Sequence, residues 1–77
     1  MTSKSINSKI GIKIRLLRTK LEFSQEKLAE LSNLNKNSIG SIERGESKPN
    51  IETLERIANA LGVELKELVD VSKVDLD

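Results

Sequence analysis

Residues Ser24 to Gly45 read SQEKLAELSNLNKNSIGSIERG, and the way this stretch divides decides the fold. Leu28, Ala29 and Leu31 recur at helical spacing behind Ser24, a residue suited to an N-cap. Asn33 tolerates the left-handed conformation of a tight turn, and Leu34 anchors that turn. Asn35 then caps a second short helix, which carries Ile39 and Ile42, runs to about Arg44 and stops at Gly45. Two short helices that cross steeply need a small residue where they touch, a turn residue able to take positive φ, and apolar residues on the closing faces. All three are present at the right spacing.

The second helix is costly for its length. Asn, Ser and Gly surround its isoleucines, and each costs a helix interior roughly 0.5–1 kcal/mol relative to alanine. On a helical wheel Ile39, Ile42 and Glu43 share one side. Asn37, Gly40, Ser41 and Arg44 lie on the other, with Lys36 at the margin. The costly residues therefore face outward. Such a surface suits the major groove of double-stranded DNA, where Asn pairs with adenine, Lys reaches guanine and Ser serves either edge, while Gly40 permits close approach. Taken singly, each of these side chains also reads as ordinary polar surface.

Working outward, apolar residues recur at three and four along the whole chain and no stretch alternates with period two, so the sequence predicts an all-α fold. A first helix is predicted from about Asn7 or Ser8 to Leu21, with Ile10, Ile14, Leu17 and Leu21 inward. A loop follows Gly45 and ends at the cap Asn50. A fourth helix spans Ile51 to Leu61, with Leu54, Ile57, Ala58 and Leu61 inward and Gly62 as its stop. A fifth covers about Leu65 to Val69. One domain over 1–77, with a core of about 8–69, is the expected organisation, and only the chain ends are candidates for fraying.

Composition narrows the chemistry. The 77 residues include no cysteine and no histidine, which removes disulfides, thiolate and imidazole metal sites and a histidine base. Neither a nucleotide-binding loop nor a paired catalytic constellation is present, so an enzyme is not expected, nor a cofactor. No apolar run approaches a membrane span and no signal-peptide segment is visible, so a cytoplasmic protein without membrane contact is expected. The net charge of +1 conceals an asymmetry: residues 1–50 carry ten Lys or Arg against five acids, and residues 51–77 carry three against seven. One end suits a polyanion and the other does not.

Two charges fall on inward faces. Arg18 follows Ile14 by one helical turn and Glu43 follows Ile39 by one turn. Burying either alone is expensive, so the sequence predicts that they pair; the alternative is that both reach out to solvent.

The elements SQEKLA, SIERGESKP and LERIANALGV, in this order and spacing, resemble the helix-turn-helix domain of the Cro and phage-repressor (XRE) family, and the similarity extends back through IGIKIRLLR to cover about residues 10–69. The resemblance implies a compact five-helix, lambda-repressor-like domain. It implies a transcriptional regulator that binds operator DNA as a homodimer, repressing and in some members activating. It further implies base contacts from Lys36, Asn37 and Ser41 with Gly40 between them, and phosphate contacts from Gln25, Asn35 and Arg44. Arg18 and Glu43 become a structural ion pair. Glu26 and Glu30 match acidic positions through which some lambda-type repressors touch RNA polymerase, and they also read as solvated face residues. Restriction-modification controllers, mobile-element repressors and antitoxins are all built on this fold. A protein-binding module, such as an antitoxin or coactivator, is the alternative function. Three positions depart from the family pattern: Glu22 and Asn33 stand where glycine is frequent, and Glu64 stands where Ser or Asp would cap the fifth helix.

One recognition helix reads only a few base pairs, so a pseudo-palindromic operator and a two-fold dimer are expected. With Leu65 and Leu68 turned toward the core, Val69 and Val71, and beyond them Val74 and Leu76, lack an evident partner inside so small a domain. They are the expected dimer contact.

Overall fold

A computed structural model describes residues 5–72 and Val74. Five helices follow one another: α1 (Ile6–Lys20), α2 (Gln25–Ser32), α3 (Lys36–Glu43), α4 (Ile51–Leu61) and α5 (Leu65–Val69). The first four begin in the same way. Ser5, Ser24, Asn35 and Asn50 are extended residues whose side-chain oxygens accept from the amides of Ser8, Lys27, Ser38 and Thr53 at 3.2, 3.0, 2.7 and 2.8 Å. Each bond satisfies one of the amides that a helix start leaves without a partner. Helix α5 has Glu64 at the equivalent position and no side-chain cap.

The same four helices also end alike. A residue of positive φ follows each: Glu22 at 60°, Asn33 at 59°, Gly45 at 73° and Gly62 at 75°. The next amide then reaches back five residues. Phe23 donates to Arg18, Leu34 to Ala29, Glu46 to Ser41 and Val63 to Ala58, at 2.9–3.1 Å. This closure pairs carbonyls that the helix end would otherwise leave open. Glu22 is the unfavourable member of the set, because a side chain in the left-handed region crowds its own carbonyl.

The helices close on a core of Ile10, Ile14, Leu28, Ala29, Ile39, Ile42, Leu54, Ile57, Ala58, Leu61 and Leu68. Leu21 and Leu31, expected inside, are 45% and 46% exposed. Leu21 stands one residue beyond the last turn of α1, which starts earlier than expected because Ser5 serves as its cap. On α2, Ser32 falls between Leu28 and Ala29 on the wheel, and Leu31 lies beyond Leu28 on the far side. Ser32 is the residue buried, 2% exposed, with its hydroxyl donating to the carbonyls of Leu28 and Ala29 at 2.6 and 3.3 Å. Val69 and Val71 are also less free than expected: both pack in part against the core. Val74 is half-buried, and Leu76 lies outside the described residues.

Two features seat α3 against α1. A Cβ at Gly11 would stand 2.4 Å from the carbonyl oxygen of Ile42 and 2.7 Å from that of Glu43, so the two backbones meet where α1 has no side chain. Two turns further along α1, Arg18 and Glu43 form the expected pair. Arg18 Nε donates to Glu43 Oε2 at 2.6 Å and Nη2 to Oε1 at 3.1 Å, with the side chains 11% and 4% exposed. Arg18 Nη1 also donates to the carbonyl of Phe23 at 2.7 Å, and Gln25 Nε2 donates to Glu43 Oε1 at 3.1 Å. Both charges are thus hydrogen-bonded on several sides, the condition under which a buried pair is tolerated.

Replacing Glu43→Gln is expected to lower stability by about 1–3 kcal/mol, and the double change Arg18→Met/Glu43→Leu to recover much of that loss. Strictly additive losses in denaturant melts would contradict the coupling. Glu22→Gly is expected to raise stability by about 0.5–1 kcal/mol, because relief of the left-handed strain exceeds the added chain entropy. A lowered thermal midpoint would refute the strain at this turn.

Candidate nucleic-acid interface

Helix α3 rests on Ile39 and Ile42, both buried, and this orientation fixes what it presents. Lys36 and Asn37 are exposed and Ser41 is half-buried. Among the described residues none of these three side chains makes a hydrogen bond or ion pair. An amide, an ammonium and a hydroxyl are therefore held on one helix face with their donors and acceptors unspent.

Beside this face runs a groove. Asn37, Ser38 and Ser41 form one wall, and Ser47, Lys48, Pro49 and the start of α4 form the other. The loop after Gly45 thus folds back along α3 and brings Lys48, exposed and without an ion-pair partner among the described residues, to the same surface. Neither Ser47 nor Lys48 was expected in the site. A single cation in a loop carries no spacing signal, and only the folded-back path of the loop makes it a neighbour of Asn37.

The expected phosphate-contacting residues flank the face. Gln25 opens α2 and is fixed by its bond to Glu43. Asn35 spends its side-chain oxygen on the α3 cap, which leaves its NH2 group available as a donor. Arg44, the C-cap of α3, is exposed, with Nε 3.1 Å from Glu46 Oε1. Gly40 departs from the wheel reading. It is buried, because the side chains of Arg44 and Gln25 lie over it.

Glu26 and Glu30 are exposed on α2, and Glu30 lies 3.8 Å from Lys27. Pairs this exposed contribute on the order of 0–1 kcal/mol, so these carboxylates are not committed to holding the fold. At the other end of the molecule, Glu67 and Asp70 of the α5 region line a shallow groove with Lys13 and Lys66. Among the described residues no helix is long and apolar enough to cross a membrane.

Comparison with known proteins places this geometry. The helix-turn-helix family pattern matches residues 14–68. The control protein C.BamHI of Bacillus amyloliquefaciens is 40% identical over 65 residues, which cover 83% of this chain and 80% of that protein. Among solved structures, the restriction-modification controller protein C.AhdI from Aeromonas hydrophila is similar at a TM-score of 0.79 and 39% identity, over 80% of this chain and 94% of that one. C.Esp1396I bound to a 25 base pair operator site is similar at a TM-score of 0.77 and 31% identity, over 87% and 92%. The chain spans between 42% and 80% of the length of the curated relatives it matches. It belongs to the helix-turn-helix family.

The start of α3 depends on one side chain. Asn35→Ala is expected to cost about 1 kcal/mol and Asn35→Ser to retain most of that stability, since serine caps as well. Thermal unfolding of the two variants beside wild type checks this, and equal losses would show that the cap is not what asparagine supplies.

Proposed function

We propose that this member of the helix-turn-helix family is a sequence-specific regulator of transcription that binds operator DNA as a two-fold dimer in the cytoplasm. The observation that carries the reading is the set Lys36, Asn37 and Ser41: outward, unpaired among the described residues and mounted on a capped helix. A helix of this width fits the major groove. There Asn37 pairs with the N6 and N7 edge of adenine, Lys36 with guanine, and Ser41 with either edge. Gln25, Asn35 and Arg44, with Lys48 beside them, contact phosphates and fix the register without reading sequence. The operator complex of C.Esp1396I supports this reading.

The dimer reading rests on the arithmetic of specificity and on the far end of the chain. One helix reads too few base pairs to single out a site, and a second copy doubles the reading. Val69 and Val71 each keep part of their surface outside the core, next to the acidic residues Glu64, Glu67 and Asp70, which keep this end away from DNA. A contact there presents two α3 helices about 34 Å apart. Repression follows from occupying the operator. An activating role would run through Glu26 and Glu30, which face solvent one turn apart on α2 and are free to meet RNA polymerase.

Selection from random duplex DNA tests the reading. Wild type is expected to enrich a pseudo-palindrome with half-sites about one helical turn apart. Asn37→Ala is expected to relax preference at one base pair of each half-site by roughly 1–3 kcal/mol and leave the rest unchanged. No enriched sequence, or an unchanged preference in Asn37→Ala, would overturn it.

A further inference from the structure

Helix α1 has two working faces. Gly11 meets the carbonyls of Ile42 and Glu43, and Arg18 meets the Glu43 carboxylate, so one side of α1 is committed to α3. Ile6, Lys9, Lys13, Leu16 and Lys20 follow one another at spacings of three and four and fall on the opposite side. That face carries no acid. Ile6 and Leu16 are each 55% exposed, and Lys9, Lys13 and Lys20 have no ion-pair partner among the described residues. Part of the basic excess at the start of the chain therefore points away from α3 and takes no part in the candidate nucleic-acid interface.

What lies beside this face is acidic. Lys13, half-buried, shares the shallow groove with Lys66, Glu67 and Asp70. Packing of its stem limits where the ammonium can go, yet no carboxylate among the described residues receives it. Glu67 is exposed and likewise has no ion-pair partner among the described residues. Asp70 is engaged by Ser72, whose amide and hydroxyl donate to Oδ1 at 3.2 and 2.8 Å. Both signs of charge thus line one groove, and α5, which forms a wall of it, is the helix whose Val69 packs only in part.

A two-fold contact through Val69 and Val71 brings like charges together. Glu64, Glu67 and Asp70 of one protomer approach the same three residues of its copy, with only Lys66 among them. A neighbouring cation is needed to offset that repulsion, and α1 holds one at the edge of the same groove.

We propose that the dimer contact extends from α5 onto α1, with the Lys13 ammonium of each protomer seated against the Glu67 carboxylate of the partner subunit. A groove that bears both signs is complementary to its own copy across a two-fold axis, so the one pairing occurs twice. Leu16, exposed one turn from Lys13, extends the apolar part of the surface. The occupant of this α1 face is a second copy of the chain. The inference rests on the dimer reading above and specifies which charges hold the two copies in register.

Analytical ultracentrifugation of the 77-residue chain and its variants tests the pairing. Lys13→Glu and Glu67→Lys are each expected to weaken self-association roughly tenfold or more, because each sets like charges opposite one another twice. An equimolar mixture of the two variants is expected to recover dimers of close to wild-type affinity. In the mixture both pairs across the contact are of opposite sign, while the two charges within each chain are still alike. Recovery also shows that both variants are folded. The wild-type dimer is expected to loosen as salt rises, and Lys13→Met to flatten that dependence.

The proposal is overturned if the wild type dimerises and the mixture gains nothing over its components. It is overturned as well if the double variant Lys13→Glu/Glu67→Lys dimerises alone while the mixture does not, which would place the pair inside one chain. Single variants that associate as tightly as wild type would show that neither charge lies in the contact. A wild type that stays monomeric at tens of micromolar would instead remove the dimer reading on which the proposal rests.

Discussion

The interaction on which the rest depends is the carboxylate of Glu43 closed around by three donors. Two come from Arg18 and one from Gln25. A carboxylate only 4% exposed would be intolerable unpaired, so the chain adopts the geometry that supplies these donors or does not fold compactly. That geometry fixes the end of α1, the turn whose Phe23 carbonyl takes the remaining face of the guanidinium, the start of α2 and the end of α3. A core of aliphatic side chains could settle in several similar arrangements, because dispersion is weakly directional. The forked contact between guanidinium and carboxylate is directional, and it selects among them.

Around this centre the chain spends little on connections. Four helices open with a side-chain cap and close with a left-handed residue and a backward bond. For a chain of 77 residues, with little room for a large core, short loops with satisfied amides matter as much as core volume. Two helix ends show the cost of this economy. Glu22 is strained at the entrance to α2, and Asn33, which is not glycine, takes a positive φ in the turn before α3.

Much of this was legible in the sequence because it depends on local rules. Ser24, Asn35 and Asn50 announce helix starts by residue type, and α4 shows its buried face through regular spacing. Even the Arg18–Glu43 pair can be read, since each charge sits one turn beyond an apolar residue on an inward face. What failed was whatever depends on a second element. A helical wheel shows which way Gly40 points and cannot show that Arg44 folds back over it or that Gln25 arrives from the preceding helix. It shows Leu31 beside Leu28 and cannot say that the closing helix lies on the Ser32 side. The half-burial of Val69 and Val71 and the return of Lys48 toward α3 are also products of how elements pack.

The contact of backbones at Gly11 separates two properties that proteins often entangle. Because α3 is seated by main chain against main chain, and by a buried ion pair on the same side, the pose of the helix owes nothing to Lys36, Asn37 or Ser41. Among the described residues those three side chains have no internal partner. On the proposed DNA-reading role of these residues, the preferred sequence can therefore drift, or be rewritten by design, through changes at the outer face while the scaffold keeps its stability and its angle of attack. A side chain at residue 11 would do the opposite: it would tilt the whole helix and shift every contact at once. The molecule divides into a fixed mount and an exchangeable set of letters, and Gly11 lies on the boundary between them.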